Sequence, residues 1–158
     1  MASKTPFPDF GKPYRPYLKI ALLRNKNILG LFGFKNQLLN RFLSRKQIGQ
    51  RGEDITADFL RKKGMRILHR NLRLGRIEFD IIAKDEDSIV FVEVKTSRTH
   101  SYGDPVEWVT IQKQRRMAHA AKLYLQKFRI LETPDRFDVV TVVALGTKNQ
   151  IEHFRDAF

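Results

Sequence analysis

IVFVEVK, residues Ile89–Lys95, sets four consecutive apolar residues before Glu93, Val94 and Lys95. A short run of β-branched and aromatic residues reads as a buried strand. A glutamate at the end of such a strand needs a partner, because a carboxylate withdrawn from water without one is costly. The preceding stretch IEFDIIAK (77–84) has the same strand character, and Asp85, Glu86 and Asp87 between the two make a polar turn. The pair therefore reads as a β-hairpin. Side chains alternate along a strand, so Glu93 shares a face with Phe91 and Lys95, and Asp80 shares one with Glu78 and Ile82. Closing the hairpin symmetrically about the Glu86–Asp87 bond puts Asp80 opposite Glu93, with Cβ atoms ~5 Å apart.

Two like charges so placed destabilise the pair. One remedy is a divalent cation: Mg²⁺ or Mn²⁺ takes one or two carboxylates and keeps several waters. The other is an ion pair of Glu93 with Lys95 at a strand end, with Asp80 solvated on an edge. Spacing alone leaves both open. Two carboxylates, a cation and a lysine suit phosphodiester hydrolysis. The metal polarises the phosphate and acidifies a bound water, and lysine orients that water or holds the phosphate.

GEDITADFLRKKG (52–64) predicts a helix with Ile55, Phe59 and Leu60 inward and Gly64 as its stop. MRILHRNLR (65–73) predicts a first strand. Trp108 to Phe128 predicts a long helix whose apolar stripe is Met117, Ala118, Ala121, Tyr124 and Leu125. RFDVVTVVA (136–144) predicts a buried strand, and Ile151 to Phe154 a short last one. The α-β-β-β-α-β order implies an α/β layer with a mixed central sheet flanked by helices.

The net charge of +13 points to a polyanionic partner: nucleic acid first, with an acidic membrane surface as the alternative. The charge is uneven. Residues 1–48 carry ten Lys/Arg and one acid, Asp9. Pro6, Pro8, Pro13 and Pro16 make the start of this segment irregular, while Leu38, Leu39, Phe42 and Leu43 fall on one face of a short amphipathic helix. The segment reads as a basic N-terminal extension that docks on the domain or on a membrane surface, with the domain proper at 49–158. The longest charge-free run of that apolar stretch, Asn27 to Phe34, is far short of the ~20 residues of a membrane span. The absence of cysteine excludes disulfides, thiolate metal sites and thiol nucleophiles, and fits a cytoplasmic protein.

The blocks Gly49-x-x-Gly52-Glu53, Asn71-x-Arg73, Glu78-Phe79-Asp80, Phe91-Val92-Glu93-Val94-Lys95, Gly103-x-Pro105 with Lys113 downstream, and Arg136-Phe137-Asp138-Val139-Val140 occur in that order. In this the chain from Gly49 onward resembles the YraN family of bacterial proteins, related to the restriction-endonuclease-like PD-(D/E)xK superfamily and to Holliday junction resolvases. The resemblance implies a restriction-endonuclease-like core. It places Asp80, Glu93 and Lys95 on catalytic positions and Glu53 on a first-helix glutamate that completes the metal site with Asp80 and Glu93. Glu78 matches an acid typical of the family, as a supporting or salt-bridging group. The chain departs from the pattern at Ile77, where glycine is usual, and at Thr96-Ser97-Arg98, where Lys-Thr-Arg follows more often; both touch turns rather than carboxylates.

Lys113, Arg115, Arg116 and Arg98 are candidates for phosphate contact. Asp138, inside an apolar strand, either touches the site or bonds a neighbouring loop. His69, His100, His119 and His153 lack metal-ligand spacing and read as surface or core residues. The expectation is a Mg²⁺- or Mn²⁺-dependent nuclease acting on nucleic acid, DNA ahead of RNA, with a homodimer as one way to supply two sites. Its rivals are a non-catalytic nucleic-acid-binding protein of the same fold and a membrane- or partner-docking protein acting through its basic arm.

Overall fold

Ser44 opens the first helix, α1 (Arg45–Lys62): its hydroxyl accepts from the Gln47 N–H at 3.3 Å, and the Gln47 side chain accepts from the Ser44 N–H at 2.9 Å. This reciprocal capping box satisfies two amides that a helix start leaves unpaired. The computed structural model describes residues 44–97, 109–145 and 148–158. The amphipathic stretch at 38–43, Arg98 and His100 lie outside the described residues. The helix thus begins four residues before Gly49 and runs across the junction anticipated between residues 48 and 49. It stops where expected, with Gly64 at φ +91°, a left-handed conformation that favours glycine.

Five strands follow: β1 (Arg66–Leu74), β2 (Ile77–Asp85), β3 (Ser88–Ser97), β4 (Asp135–Leu145) and β5 (Lys148–Phe154), with α2 (Ile111–Lys127) between β3 and β4. They form one sheet in the order β1-β2-β3-β4-β5. All neighbours are antiparallel except β3 and β4, which run parallel because α2 carries the chain back across the sheet. This is the mixed α/β sheet anticipated from the element order, with the last strand three residues longer at its start.

A helix covers each face. On one, α2 packs Met117, Ala120, Ala121, Tyr124 and Leu125 against Phe79, Ile82, Phe91 and Val139. Ala120 is buried there, whereas Ala118, placed in the stripe from sequence, is half-buried. On the other face, α1 packs Ala57 and Leu60 against Ile81, Val90, Val92 and Val140. The inward face of α1 consists of Gly52, Thr56, Ala57 and Leu60, with Ile55 and Phe59 to its sides. The rotation has a visible cause. A Cβ on Gly52 would lie 1.8 Å from Thr96 Oγ1, so only glycine lets α1 rest on β3 at this point.

Candidate active site

The β2–β3 hairpin closes in the register read from the sequence, Asp85 opposite Ser88 and Ile81 opposite Val92, with Glu86 at φ +51° in its two-residue turn. The ladder ends there. At the next position the Asp80 carboxylate accepts from the Val94 N–H at 2.7 Å, taking the place of a strand carbonyl. Here β2 leaves β3, while β3 and β4 stay paired as far as Ser97 and Val143. The β1 partners Arg70–Ile81 and Leu72–Phe79 leave Asn71 across from Asp80, and Asn71 adopts φ +52°. Asparagine is among the few residues that tolerate this region.

The irregularity corrects one expectation. Strict alternation predicts a common face for Asp80, Glu78 and Ile82. Ile77, Phe79 and Ile82 instead all pack on the α2 side, while Ile81 and Ala83 pack on the α1 side. The alternation therefore slips by one residue around Asp80, and Glu78 turns away from the Ile82 face. Glu78 is exposed and adds to the negative potential on Glu53.

Glu93 is buried, and two ammonium groups meet its Oε1 atom: Lys95 Nζ at 2.8 Å, and Lys113 Nζ, which reaches in from the first turn of α2. Lys113, a candidate for phosphate contact, is instead paired with Glu93 in the structure. Arg115 and Arg116 of the same turn are exposed, and Arg116 Nε donates to the Gln112 carbonyl at 3.3 Å. Asp80, in contrast, has no ion-pair partner among the described residues. Burial, then the adjacent Glu93 charge, push its carboxyl up to about 7, against the Val94 N–H bond that favours the anion. Glu53 adds a smaller push in the same direction.

Glu53 projects from α1, the helix on the opposite face from α2. It accepts from Gln50 Nε2 at 3.3 Å, lies 3.8 Å from Arg70, and bonds the Asn71 side chain. Burial raises its carboxyl above the ordinary glutamate value despite those bonds. Asp80 thus stands between Glu93, approached from one face, and Glu53, approached from the other. Among the described residues no three His, Asp or Glu side chains gather into one group that could hold a metal ion. The anticipated triad of Asp80, Glu93 and Glu53 therefore does not gather as one group: Glu93 acts on Asp80 as its stronger acidic neighbour, and Glu53 acts on it only weakly, through its charge. The pair itself suits a hard cation: Asp80 is withdrawn from water beside a second carboxylate, the Lys113 charge offsets only part of the penalty, and Mg²⁺ or Mn²⁺ needs only one or two carboxylates.

Asp138 lies elsewhere. It is fully buried on the α1 side, next to Val92 in the sheet, and takes Arg136 Nε at 3.0 Å, His153 Nε2 at 2.8 Å and the Asp156 N–H at 3.0 Å. Lys63 Nζ lies 3.3 Å from His153 Nδ1; lysine only donates, so the imidazole keeps its proton on Nε2, toward Asp138. Arg136 continues the chain to Asp85 at 2.7 Å. Of the two readings of Asp138, bonding to neighbouring segments is the one observed. His69 packs against Tyr124 and Phe128, and burial lowers its pKa. Sequence reasoning missed the Asp138–His153 pair and the part played by Asn71. The residue types were informative, an aspartate inside an apolar strand and an asparagine within a strand, but the partners are distant in sequence.

The molecule is thus an α/β protein with a five-stranded mixed sheet whose carboxylates and lysines collect where two strands part. Residues 52–142 match the model of the uncharacterised protein family UPF0102, which is the YraN family under another name, and the chain belongs to that family. A UPF0102 protein of Syntrophotalea carbinolica is 45% identical over 114 residues, covering 72% of this chain and 93% of that protein. A second, from Rhodococcus opacus, is 46% identical over 112 residues, 70% of this chain and 95% of the relative. A third, from Symbiobacterium thermophilum, reaches 48% over 97 residues, 61% and 82% respectively. The matched region contains every residue of the carboxylate–lysine cluster. No helix among the described residues is long and apolar enough to cross a membrane.

Proposed function

We propose that the protein hydrolyses phosphodiester bonds of nucleic acid, DNA ahead of RNA, in a reaction that depends on Mg²⁺ or Mn²⁺, on a restriction-endonuclease-like core. The observation that carries the reading is the Asp80 carboxyl, without a direct ion pair among the described residues, set beside Glu93 at the end of the β2–β3 ladder, with Lys95 on the same glutamate. Asp80 and Glu93 would hold the ion. When bound, the ion supplies Lewis acidity toward the phosphate and acidifies a water. Asp80 loses its proton near neutrality, and the Val94 N–H bond keeps its carboxylate aimed. Lys95 is half-exposed at the edge of the site, where it can hold a phosphate as a point charge or orient the attacking water. The net charge of +13 supports a polyanionic substrate. Cutting both strands of a duplex takes two such sites, which a homodimer would supply.

One feature favours a second reading, a nucleic-acid-binding protein without catalysis. Glu93 already has two lysines, so its charge is balanced with no metal present. A single experiment separates the two. Purified protein is incubated with labelled linear duplex, single-stranded and four-way-junction DNA and with RNA, in Mn²⁺ and in chelator. Cleavage in Mn²⁺ that vanishes with chelator, and in Asp80→Asn, Glu93→Gln and Lys95→Ala, is the expected result. Binding without cleavage of any of the four would leave the second reading in its place.

A further inference from the structure

The hairpin joining β1 to β2 closes at Leu74 and Ile77 around a two-residue turn, Gly75 and Arg76, with Gly75 at φ +60°. Leu72, Leu74, Ile77 and Phe79 pack into the α2-side core, so the hairpin is anchored almost to its tip. Arg73 and Arg76 are both exposed there, and neither forms an ion pair among the described residues. Arg73 pairs across the strands with Glu78 by backbone register alone. Other bases near the site are already engaged: Arg70 with Asp54 at 2.6 Å, and Lys95 and Lys113 with Glu93. Arg76 precedes Asp80 by four residues on an extended strand, a distance of about 13 Å. That is roughly four nucleotide steps at about 3.4 Å of rise each along one strand.

We infer that the β1–β2 hairpin is a backbone-binding clamp, with Arg73 and Arg76 holding phosphates of a nucleic-acid strand a few nucleotides from Asp80. The inference rests on the function proposed above. Guanidinium forks match phosphate oxygens bidentately, and a tight turn with core-packed flanks presents them without ordering a loop. Insertion of this tip into a lipid surface would call for exposed apolar side chains. The exposed large apolar residues among those described are Ile111, Leu123 and Leu131, none of them on this hairpin.

The same strand provides the control. Arg66 is exposed at the other end of β1, opposite Lys84, seven residues or about 23 Å from Arg73. Removing it changes net charge equally but not at the clamp. The full chain and the variants Arg73→Ala, Arg76→Ala and Arg66→Ala are titrated against labelled duplex DNA and RNA of one sequence from 50 to 200 mM salt, in chelator. Each clamp variant is expected to flatten the slope of log affinity against log salt by about 0.9 on duplex DNA, and Arg66→Ala to leave it unchanged. Arg73→Lys and Arg76→Lys should keep the slope, since they keep the charge. The polymer with the larger loss is the one the clamp grips. If Arg66→Ala costs as much as the clamp variants, or the clamp variants cost nothing while wild type binds, the clamp is refuted and the function above stands. If wild type binds neither polymer, the clamp is refuted, and the function above falls with it if single-stranded and four-way-junction DNA also go unbound.

Discussion

Asp80 and Asp138 are carboxylates withdrawn from water, and their surroundings act on them in opposite directions. Asp80 is buried beside another acid, and the Lys113 charge only partly offsets this; its carboxyl is raised from 3.8 to about 7. The native state therefore holds a proton that the unfolded chain releases, and stability is lost as pH rises from about 4 through 7. Asp80→Asn keeps an acceptor for the Val94 N–H and removes the charge. In chelator at pH 8 it should be more stable than wild type by about 2–4 kcal/mol, a margin that closes by pH 4, as read from urea unfolding at both pH values. Saturating Mn²⁺ should add about 2.7 kcal/mol to wild type at a hundredfold excess over Kd and little to the variant. Asp138 has Arg136, His153 and a backbone amide, and its carboxyl lies below the usual 3.8 despite burial. Its contribution is present above pH 3.8 and is lost as pH falls through the lower folded value. Asp138→Asn should cost about 2–4 kcal/mol at pH 7, because Arg136 and His153 lose a charged acceptor. The same substitution, aspartate to asparagine, is thus expected to change stability with opposite signs at the two positions.

At the scale of elements, helix α1 reaches the site only because it lies so close to β3. Gly52→Ala would raise helix propensity by roughly 1 kcal/mol. The clash with Thr96 must outweigh that, since a Cβ would sit 1.8 Å from Oγ1 and 2.9 Å from the Thr96 Cβ. A net loss of about 2–4 kcal/mol is expected, and Thr96→Gly in the same chain should recover part of it, a coupling that a double-mutant cycle in urea measures. This contact also marks where sequence reading ran out. Strand positions and the hairpin register followed from apolar runs and a two-residue turn, both local signals; the direct Asp80–Glu93 strand pair did not form, because the ladder ends at Ile81 and Val92. The phase slip at Asp80, the seating of α1 on Gly52 and the arrival of Lys113 at Glu93 depend on contacts between distant segments. Periodicity cannot encode those. Glu53 shows the difference: its helix was legible, but its approach from the face opposite Glu93 was not.

For the whole molecule, the lysine- and arginine-rich N-terminal segment leads directly into α1, the helix that carries Glu53. Residues 1–43 hold eight Lys/Arg and one Asp. A deletion ending at Leu43 spares the Ser44 cap, and the remaining chain should unfold at nearly the wild-type urea midpoint. If four of the deleted bases touch phosphates, the salt slope on duplex DNA should flatten by about 3.6. An unchanged slope with lost binding to anionic vesicles would instead identify the segment as a surface anchor. The hairpin that unites the two acids has a consequence in time as well as in energy. Residues 80 and 93 are joined through a two-residue turn, whereas pairing β3 to β4 brings Ile89 to Asp135 across 46 positions. Short loops close sooner than long ones, so the acids should meet while much of the sheet is still unformed. Their repulsion then belongs to the climb toward the transition state. At pH 8 in chelator, Asp80→Asn should quicken refolding several-fold through the lost repulsion, while the burial part of the penalty, felt late, shows as slower unfolding in a stopped-flow chevron. A slower unfolding limb with unchanged refolding would mean that the hairpin zips last. On the expected outcome, the charge pair proposed to hold a cation in the finished protein is also what sets the pace at which the chain folds without one.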